Sequence, residues 1–526
     1  MRLFVTEYAH RSAEALTKMP VTRRIFVFST GVGFVYVIAC LDLVNVKIDD
    51  VFITLRYSRN LLAGHGAVFN PGEAVEGYSN PTWLFLVTGI AAVTGLTGHL
   101  ALFYLSKILC AAFGALTIVV MYRMARMRGN GYFAIGLLVS VLAVNPFLNT
   151  YNISGKETSL VTFLVALSFL LYLQWDKNGQ SAYGVGFAIA LGLLSISRPE
   201  AVMYPAAVFL GILVARRVGI GSGKKPPLTL SVISIAAAIF IASATFRLWY
   251  YGDVAPTTLY AKNSPSWVTV EDGARYGLLF LGLAVVPYVF VALGKRAQSF
   301  DRVLIPMMVV IAAQFAFAAY SGGDWMPSFR LLLPVLPLMI FLVVDQVDVS
   351  GASREKLMIG LVLATLVIGV SSFVQREYIG ARYKPFSSGL DLEFEAYTPH
   401  YYSVAQKLHD IARPGQHVLV AEAGLIPYLN DDLYFNDLYG LLDEHIAKNV
   451  DGRHFTRVDN DHFFGSEYDY VVIITKRDKS TRRDSDGYST GFMVVDAFLN
   501  DPRFSSRYAP VYQEKLGVIF GRVNTG

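Results

Sequence analysis

Long apolar runs dominate the first 374 residues of this 526-residue chain. They read approximately as 25–44, 82–98, 100–122, 131–147, 158–174, 182–196, 201–216, 229–249, 276–294, 303–320, 331–345 and 356–374. Each is bounded by polar or turn-forming residues, and several are near or below the ~20 residues a helix needs to cross the hydrocarbon core. The pattern predicts a polytopic α-helical membrane module over 1–374. One polar stretch interrupts it, Ile48 to Trp83, with the sequence IDDVFITLRYSRNLLAGHGAVFNPGEAVEGYSNPTW. No other polar run of that density occurs in the first 370 residues. From residue 375 the long apolar runs stop and charge density rises. His400 to Ala412 reads as an amphipathic helix, and HVLVA (417–421), YVVIIT (470–475) and GVIFGRV (517–523) read as strands. Residues 375–526 are therefore expected to form a small soluble α/β domain.

Composition agrees with the membrane reading. The chain is 54% hydrophobic and only 16% charged, against ~25% charged in an average soluble domain. The net charge of +5 is small, and nothing in its distribution calls for a nucleic-acid partner. Lys18, Arg23 and Arg24 precede the first apolar run and place the N-terminus in the cytoplasm. If all twelve runs crossed, three later basic clusters (Arg123, Arg126 and Arg128; Arg216, Arg217, Lys224 and Lys225; Lys295 and Arg296) would face outward. An 82–98 segment lying in the interface returns all three to the cytoplasm. The expected topology is then about eleven crossings of the plasma membrane, a first outer loop over 48–98, and an extracytoplasmic C-terminal domain. Cys40 and Cys110 lie inside apolar runs and read as small buried residues.

The polar chemistry then gathers on the outer face. Asp49 and Asp50 sit at the mouth of an apolar segment, where charge is costly unless used or paired. Such a pair suits a general base or a divalent cation; the plainer alternative is an N-cap for an amphipathic helix over 51–62. Arg56 and Arg59 follow on that helix, and the forked guanidinium suits phosphate. His65 lies in a turn-rich tract and reads as structural. Glu157 opens an apolar helix after Lys156, where an acid is favoured by the helix dipole. Ser197-Arg198-Pro199-Glu200 is a charged turn between two apolar runs, reading either as substrate contact or as an Arg198–Glu200 pair. The tract at 250–263 carries Asp253 and Lys262, and GGDWMPSFRLLLP (322–334) carries Asp324, Trp325 and Arg330. GIGSGKK (219–225) lacks the spacing of a phosphate loop.

The run DDVFITLRYSRNLLAGHGAVFNPGEAVEGYSNPTW resembles the first outer loop of polyprenyl-phosphate-sugar-dependent glycosyltransferases of the GT-C fold. Closest are the mycobacterial terminal arabinofuranosyltransferases and their bacterial relatives, including pilin arabinosyltransferases. SGKET (154–158), SRPE (197–200), YYGDVAPTTLYAK (250–262), GGDWMPSFRLLLP (322–334) and AEAGLIPYLN (421–430) are similar to that family's other motifs, in the same order. The match spans roughly 45–445. Members more often carry Leu where Lys156 stands and Thr where Ser197 stands. The resemblance implies a GT-C module with a decaprenyl-phosphate-type donor carrying a pentofuranose, D-arabinofuranose above all. It implies Asp49 as the base that deprotonates the acceptor hydroxyl, with Asp50 orienting it or sharing a cation. Arg198, Lys262, Arg330 and Arg56 are the expected phosphate ligands. Tyr78, Asn80, Glu157, Glu200, Asp324 and Trp325 are the expected sugar and acceptor contacts. The acceptor would be a cell-envelope glycan, a lipid-linked glycan or a protein, presented by the C-terminal domain.

Two alternatives carry their own signatures. A transferase of the same fold for mannose or aminoarabinose would share every motif. A flippase for the lipid-linked sugar would place ionisable groups mid-helix and show pseudo-symmetric halves; here the charges lie at helix ends.

Overall fold

The computed structural model describes residues 21–44, 48–218, 230–262, 267–289, 295–296, 303–348, 354–380, 398–452, 455–475, 488–514 and 516–523. Lys18 and the glycine-rich tract at 219–225 lie outside them.

Helices form at the apolar runs. Among the described residues, five are long and apolar enough to cross a membrane by length and composition: His99–Met127, Thr158–Asn178, Pro199–Val218, Leu230–Tyr251 and Ile359–Ile379. A sixth candidate is bent by 57°, Tyr132–Val144 followed by Pro146–Asn152. The break falls at Asn145-Pro146, where the proline ring stops the first helix and the Asn145 side chain caps the second through Leu148 N–H. Shorter apolar helices cover Thr30–Leu41, Pro81–Thr94, Ser181–Ser195, Leu304–Tyr320 and Leu333–Val344.

The apolar windows of Leu230–Tyr251 and Ile359–Ile379 are only 17% buried. Leu230, Ile241, Leu361, Val362, Leu366, Val370 and Phe373 stand outward. An outward face of that kind is the lipid-contacting side of a multi-pass membrane protein. Away from it, Arg128 and Asp345 form a buried ion pair at 2.8 Å. One of the basic residues expected to act as a simple orientation signal is therefore also a partner in packing. Cys40 and Cys110 are buried and unpaired.

The C-terminal part is a mixed five-stranded sheet in the spatial order 434–437, 417–420, 470–474, 517–522, 508–513. Its first three strands are parallel, and the last two run antiparallel as a hairpin. The strands expected at 417–421, 470–475 and 517–523 are all present, as is the helix at Pro399–Ile411. The strands at Tyr434–Asp437 and Tyr508–Gln513 escape the sequence pattern. The first is only four residues, YFND, and the second contains Pro510, which is tolerated at a sheet edge.

The segment 48–80 lies between these two parts. Its helix, Val51–Leu62, is buried nearly all round, polar residues included. Val51, Phe52 and Leu55 pack into the core of the helical module. Ile53 and Tyr57 pack with Val404, Leu408 and Val420 of the α/β part. An amphipathic pattern predicts one wet face; a helix clamped between two bodies has none.

Candidate active site

Asp49 and Asp50 open the Val51–Leu62 helix from inside this sandwich. The Asp50 side chain makes no cap hydrogen bond, so capping does not account for it. It faces the Lys156 ammonium at 3.6 Å instead. Lys156 is held by a tight turn: Gly155 adopts φ +86°, and a Cβ there would approach Ser106 Oγ to 2.7 Å and Val51 Cγ2 to 2.9 Å. Glycine thus lets the 154–158 turn nest against two helices. Trp83 Nε1 donates to the Gly155 carbonyl at 3.0 Å and fixes the turn further.

Asp49 turns toward the C-terminal part. Its Oδ1 accepts a hydrogen bond from Leu425 N–H at 3.0 Å. Burial pushes its carboxyl up to about 7, with the Asp50 charge adding to the rise. The Leu425 and Gly424 amides and Lys156 act against it. A carboxylate poised there is matched to proton abstraction near neutral pH.

Three cations lie around the two acids, Lys156, Lys262 and Arg330, and a fourth, Arg198, neighbours Arg330. Arg198 pairs with Glu157 at 2.7 Å and with Glu200. Burial alone would raise the Glu157 carboxyl; Lys156, Arg198, Arg330 and Asn80 instead hold it down at about 2. Arg330 pairs with Asp324 at 2.6 Å. It follows a turn in which Ser328 and Phe329 take φ of 60° and 56°, a conformation costing of order ~1 kcal/mol or more each for non-glycine residues. Tyr151 Oη donates to the Pro327 carbonyl at 2.9 Å and Ser328 Oγ to Thr150 Oγ1 at 3.2 Å, which holds that turn in place.

Lys262 differs from the other three. Among the described residues no carboxylate lies within ion-pair distance of it, and its side chain is exposed. Its electrostatic neighbours are Asp50, Arg330, Lys156 and Asp324, and its pKa is lowered chiefly by desolvation. That combination describes an exposed cation among charged neighbours, its hydrogen bonds uncommitted to other described side chains.

Some expected ligands are placed elsewhere. Arg56 is fully buried. Its nitrogens donate to the carbonyls of Phe69 (2.8 Å), Pro427, Asn430 (3.2 Å) and Leu433 (2.9 Å). Its guanidinium lies over Phe69 and Phe435 at 4.7 and 5.0 Å. Every branch of the fork is spent, so the assignment of Arg56 to the donor phosphate is corrected: it joins the helix to the C-terminal part. Tyr78 and Asn80 are likewise buried. Tyr78 bonds Tyr251 Oη at 3.2 Å, and Asn80 Nδ2 donates to Glu157 Oε2 at 2.9 Å. Both are held by partners inside the protein. Trp325 is 55% exposed, edge-on to Phe455 at 6.0 Å.

Sequence reasoning passed over Glu76, which is buried and paired with Arg247 at 2.9 Å. It also gave no role to Gly424 and Leu425, although the motif containing them was visible. Neither is an ionisable residue, so a search for charges does not find them.

For a divalent cation the fit is poor. One oxygen of Asp49 is taken by Leu425 N–H and one of Asp50 faces Lys156. Among the described residues no three His, Cys, Asp or Glu side chains converge.

Residues 392–514 match a domain of unknown function (DUF8728). Over 365 residues the chain is 26% identical to a terminal beta-(1->2)-arabinofuranosyltransferase of Corynebacterium glutamicum, covering 62% of this chain and 52% of that protein. It is 27% identical over 330 residues to the protein of the same name from Mycobacterium tuberculosis, covering 55% and 51%. The chain thus spans about half the length of these curated relatives. In structure it is similar to ArnT from Cupriavidus metallidurans bound to undecaprenyl phosphate, with TM-score 0.56, 14% identity, and coverage of 96% of this chain and 99% of that one. The fold is that of the GT-C membrane glycosyltransferases.

Proposed function

We propose that this protein is a membrane glycosyltransferase that moves a sugar, D-arabinofuranose in our reading, from a polyprenyl-phosphate donor to an extracytoplasmic cell-envelope acceptor. The observation that carries the proposal is the exposed Lys262 ammonium with Asp50, Lys156 and Arg330 as its electrostatic neighbours, Asp50 being next in the chain to a base-competent Asp49. A lipid phosphate needs a cation that the protein has not already neutralised, and a developing phosphate leaving group is stabilised by fixed positive charge. The sugar identity is supported by the names of the two curated relatives, and the lipid by the undecaprenyl phosphate bound to the structurally similar protein.

In the proposed reaction an acceptor hydroxyl oxygen bonds to the anomeric carbon. The bond from that carbon to the phosphate oxygen breaks, and polyprenyl phosphate leaves with its electron pair. Asp49 takes the hydroxyl proton. Lys262 binds the phosphate directly. Arg330 and Arg198, each already paired, contribute field more than contact; Glu157, Glu200 and Asp324 keep those two in position and offer remaining lone pairs to sugar hydroxyls. Trp325 with Phe455 forms an exposed aromatic surface where an acceptor sugar can stack. The domain division at about 374, the eleven crossings and the outward face of the C-terminal domain complete the proposal, with the site opening at the outer leaflet.

The test is turnover of a synthetic polyprenyl-phosphate pentofuranose by the purified protein in nanodiscs. Parallel reactions with mannosyl and aminoarabinosyl donors separate the sugar classes. Asp49→Asn should abolish transfer and keep donor binding. Full activity in that variant would end the assignment, and donor movement across the bilayer without any glycosidic product would favour a flippase.

A further inference from the structure

The C-terminal part does more than lie beside the acids. The chain at 424–425 touches the carboxylate proposed to react. Leu425 N–H donates to Asp49 Oδ1 at 3.0 Å. A Cβ on residue 424 would stand 1.8 Å from Asp49 Oδ2 and 2.1 Å from its Cγ, so only glycine admits the carboxylate to this position. The surrounding chain is locked to the helical module. Arg56 binds the carbonyls of Pro427, Asn430 and Leu433. Tyr428 Oη donates to the His99 carbonyl at 2.7 Å, and its ring packs on Phe52 at 5.3 Å. Leu425 and Tyr428 belong to the core of the helical module, not to that of the sheet to which their neighbours in sequence contribute.

Resting on the glycosyltransferase reading above, we infer that Gly424 and Leu425 are positioning residues: the C-terminal domain supplies the main-chain hydrogen bond that orients the Asp49 carboxylate and keeps it ionisable as the base. The physical reason is selective stabilisation of the charged form. An amide N–H aimed at a carboxylate favours the ionised state and opposes the effect of burial. Besides Arg330 and Arg198, described above, five ionisable groups bear on the site and remain in place when this bond is removed. Asp50 stands beside Asp49 on the same segment, Lys156 comes from the 154–158 turn, and Lys262 from the helix at Thr257–Lys262; Tyr401 comes from the helix at Pro399–Ile411, and Glu422 from the strand end before Gly424. Loss of the N–H therefore moves the base in one direction, toward a higher pKa, and the acidic limb of the rate profile toward higher pH.

The experiment measures kcat/KM against pH for donor turnover by the full-length protein. The variants are Gly424→Ala, a backbone ester at Leu425 introduced as the α-hydroxy acid, and Gly465→Ala. Gly465 meets nothing within 4 Å of an added Cβ and serves as the control for a glycine change in the same domain. The expected result is an acidic limb displaced upward by about one pH unit or more in Gly424→Ala and in the ester, with activity recovering toward wild type above the new limb. Gly465→Ala should match wild type. The ester keeps the leucine side chain and decides the matter if Gly424→Ala does not fold. An unshifted limb in the ester, or a loss uniform across pH, overturns the inference. Asp49→Asn run alongside separates the two claims: full activity there removes the reading of Asp49 itself, whereas an inactive Asp49→Asn with an unshifted ester removes only the role of 424–425.

Discussion

The twelve-residue helix at Val51–Leu62 has two differently treated sets of charges. At its start, Asp49 and Asp50 enter a site where Lys262 is exposed and unpaired with any described carboxylate. Along its body, Arg56 and Arg59 enter a seam where both guanidinium groups are matched: Arg56 meets four carbonyls, and Arg59 meets Asp431, itself shared with His99 at 3.4 Å. Both regions are charged and both are largely buried. They differ in whether hydrogen-bonding capacity is left over. A guanidinium with every donor spent holds structure; an ammonium with donors to spare can take a ligand, as proposed for Lys262.

The largest effect that can break this contrast is Asp49→Asn. Transfer should fall by roughly 10²–10⁴-fold, the usual contribution of a positioned base, while the melting temperature stays put. In wild type the rate should climb with pH through about 7 as the Asp49 carboxyl loses its proton; a profile flat from pH 5 to 9 would deny Asp49 that role. Next comes Arg56→Met, which removes a charged donor from each of four buried carbonyls. Destabilisation of ~3–5 kcal/mol is expected, as when one partner of a buried charged network is removed. Thermal unfolding and limited proteolysis of the C-terminal part report it, and kcat/KM per folded molecule should change far less.

Lys262→Ala should show the opposite profile. A hydrogen bond to a charged group is worth ~1.5–3 kcal/mol, so donor kcat/KM should drop by roughly 10–100-fold with no change in melting temperature. A variant that unfolds instead would move Lys262 into the structural class. The smallest effect belongs to Arg59→Ala. Its pair with Asp431 is a quarter to a third exposed, so a cost of ~1 kcal/mol or less is expected from chemical denaturation, with transfer unaffected.

Much of this contrast was not legible in the sequence. The helices were, because apolar runs of that length have few other uses. Asp49 and Asp50 were legible too, as acids in an apolar setting. Arg56 could not be assigned. An arginine two turns after an acidic pair looks the same whether its partners are phosphate oxygens or the carbonyls of Pro427, Asn430 and Leu433, nearly four hundred residues away. Tyr78 and Asn80 failed for the same reason: a polar residue beside a site may face it or brace it, and only packing decides. The glycine at 424 shows the converse. Its importance lies in a side chain that is missing, opposite a carboxylate from a distant segment, and no local pattern encodes that.

The central claim is that the site transfers a sugar to the cell envelope with Asp49 at the reacting centre. Mass spectrometry of envelope glycans from a deletion strain, complemented with wild type or with Asp49→Asn, tests it most directly, since sugar, linkage and acceptor are read together. The account predicts loss of a terminal pentofuranose in the deletion strain, restoration by wild type, and none by Asp49→Asn expressed at the same level. Glycans unchanged by the deletion, or restored by Asp49→Asn, would contradict it.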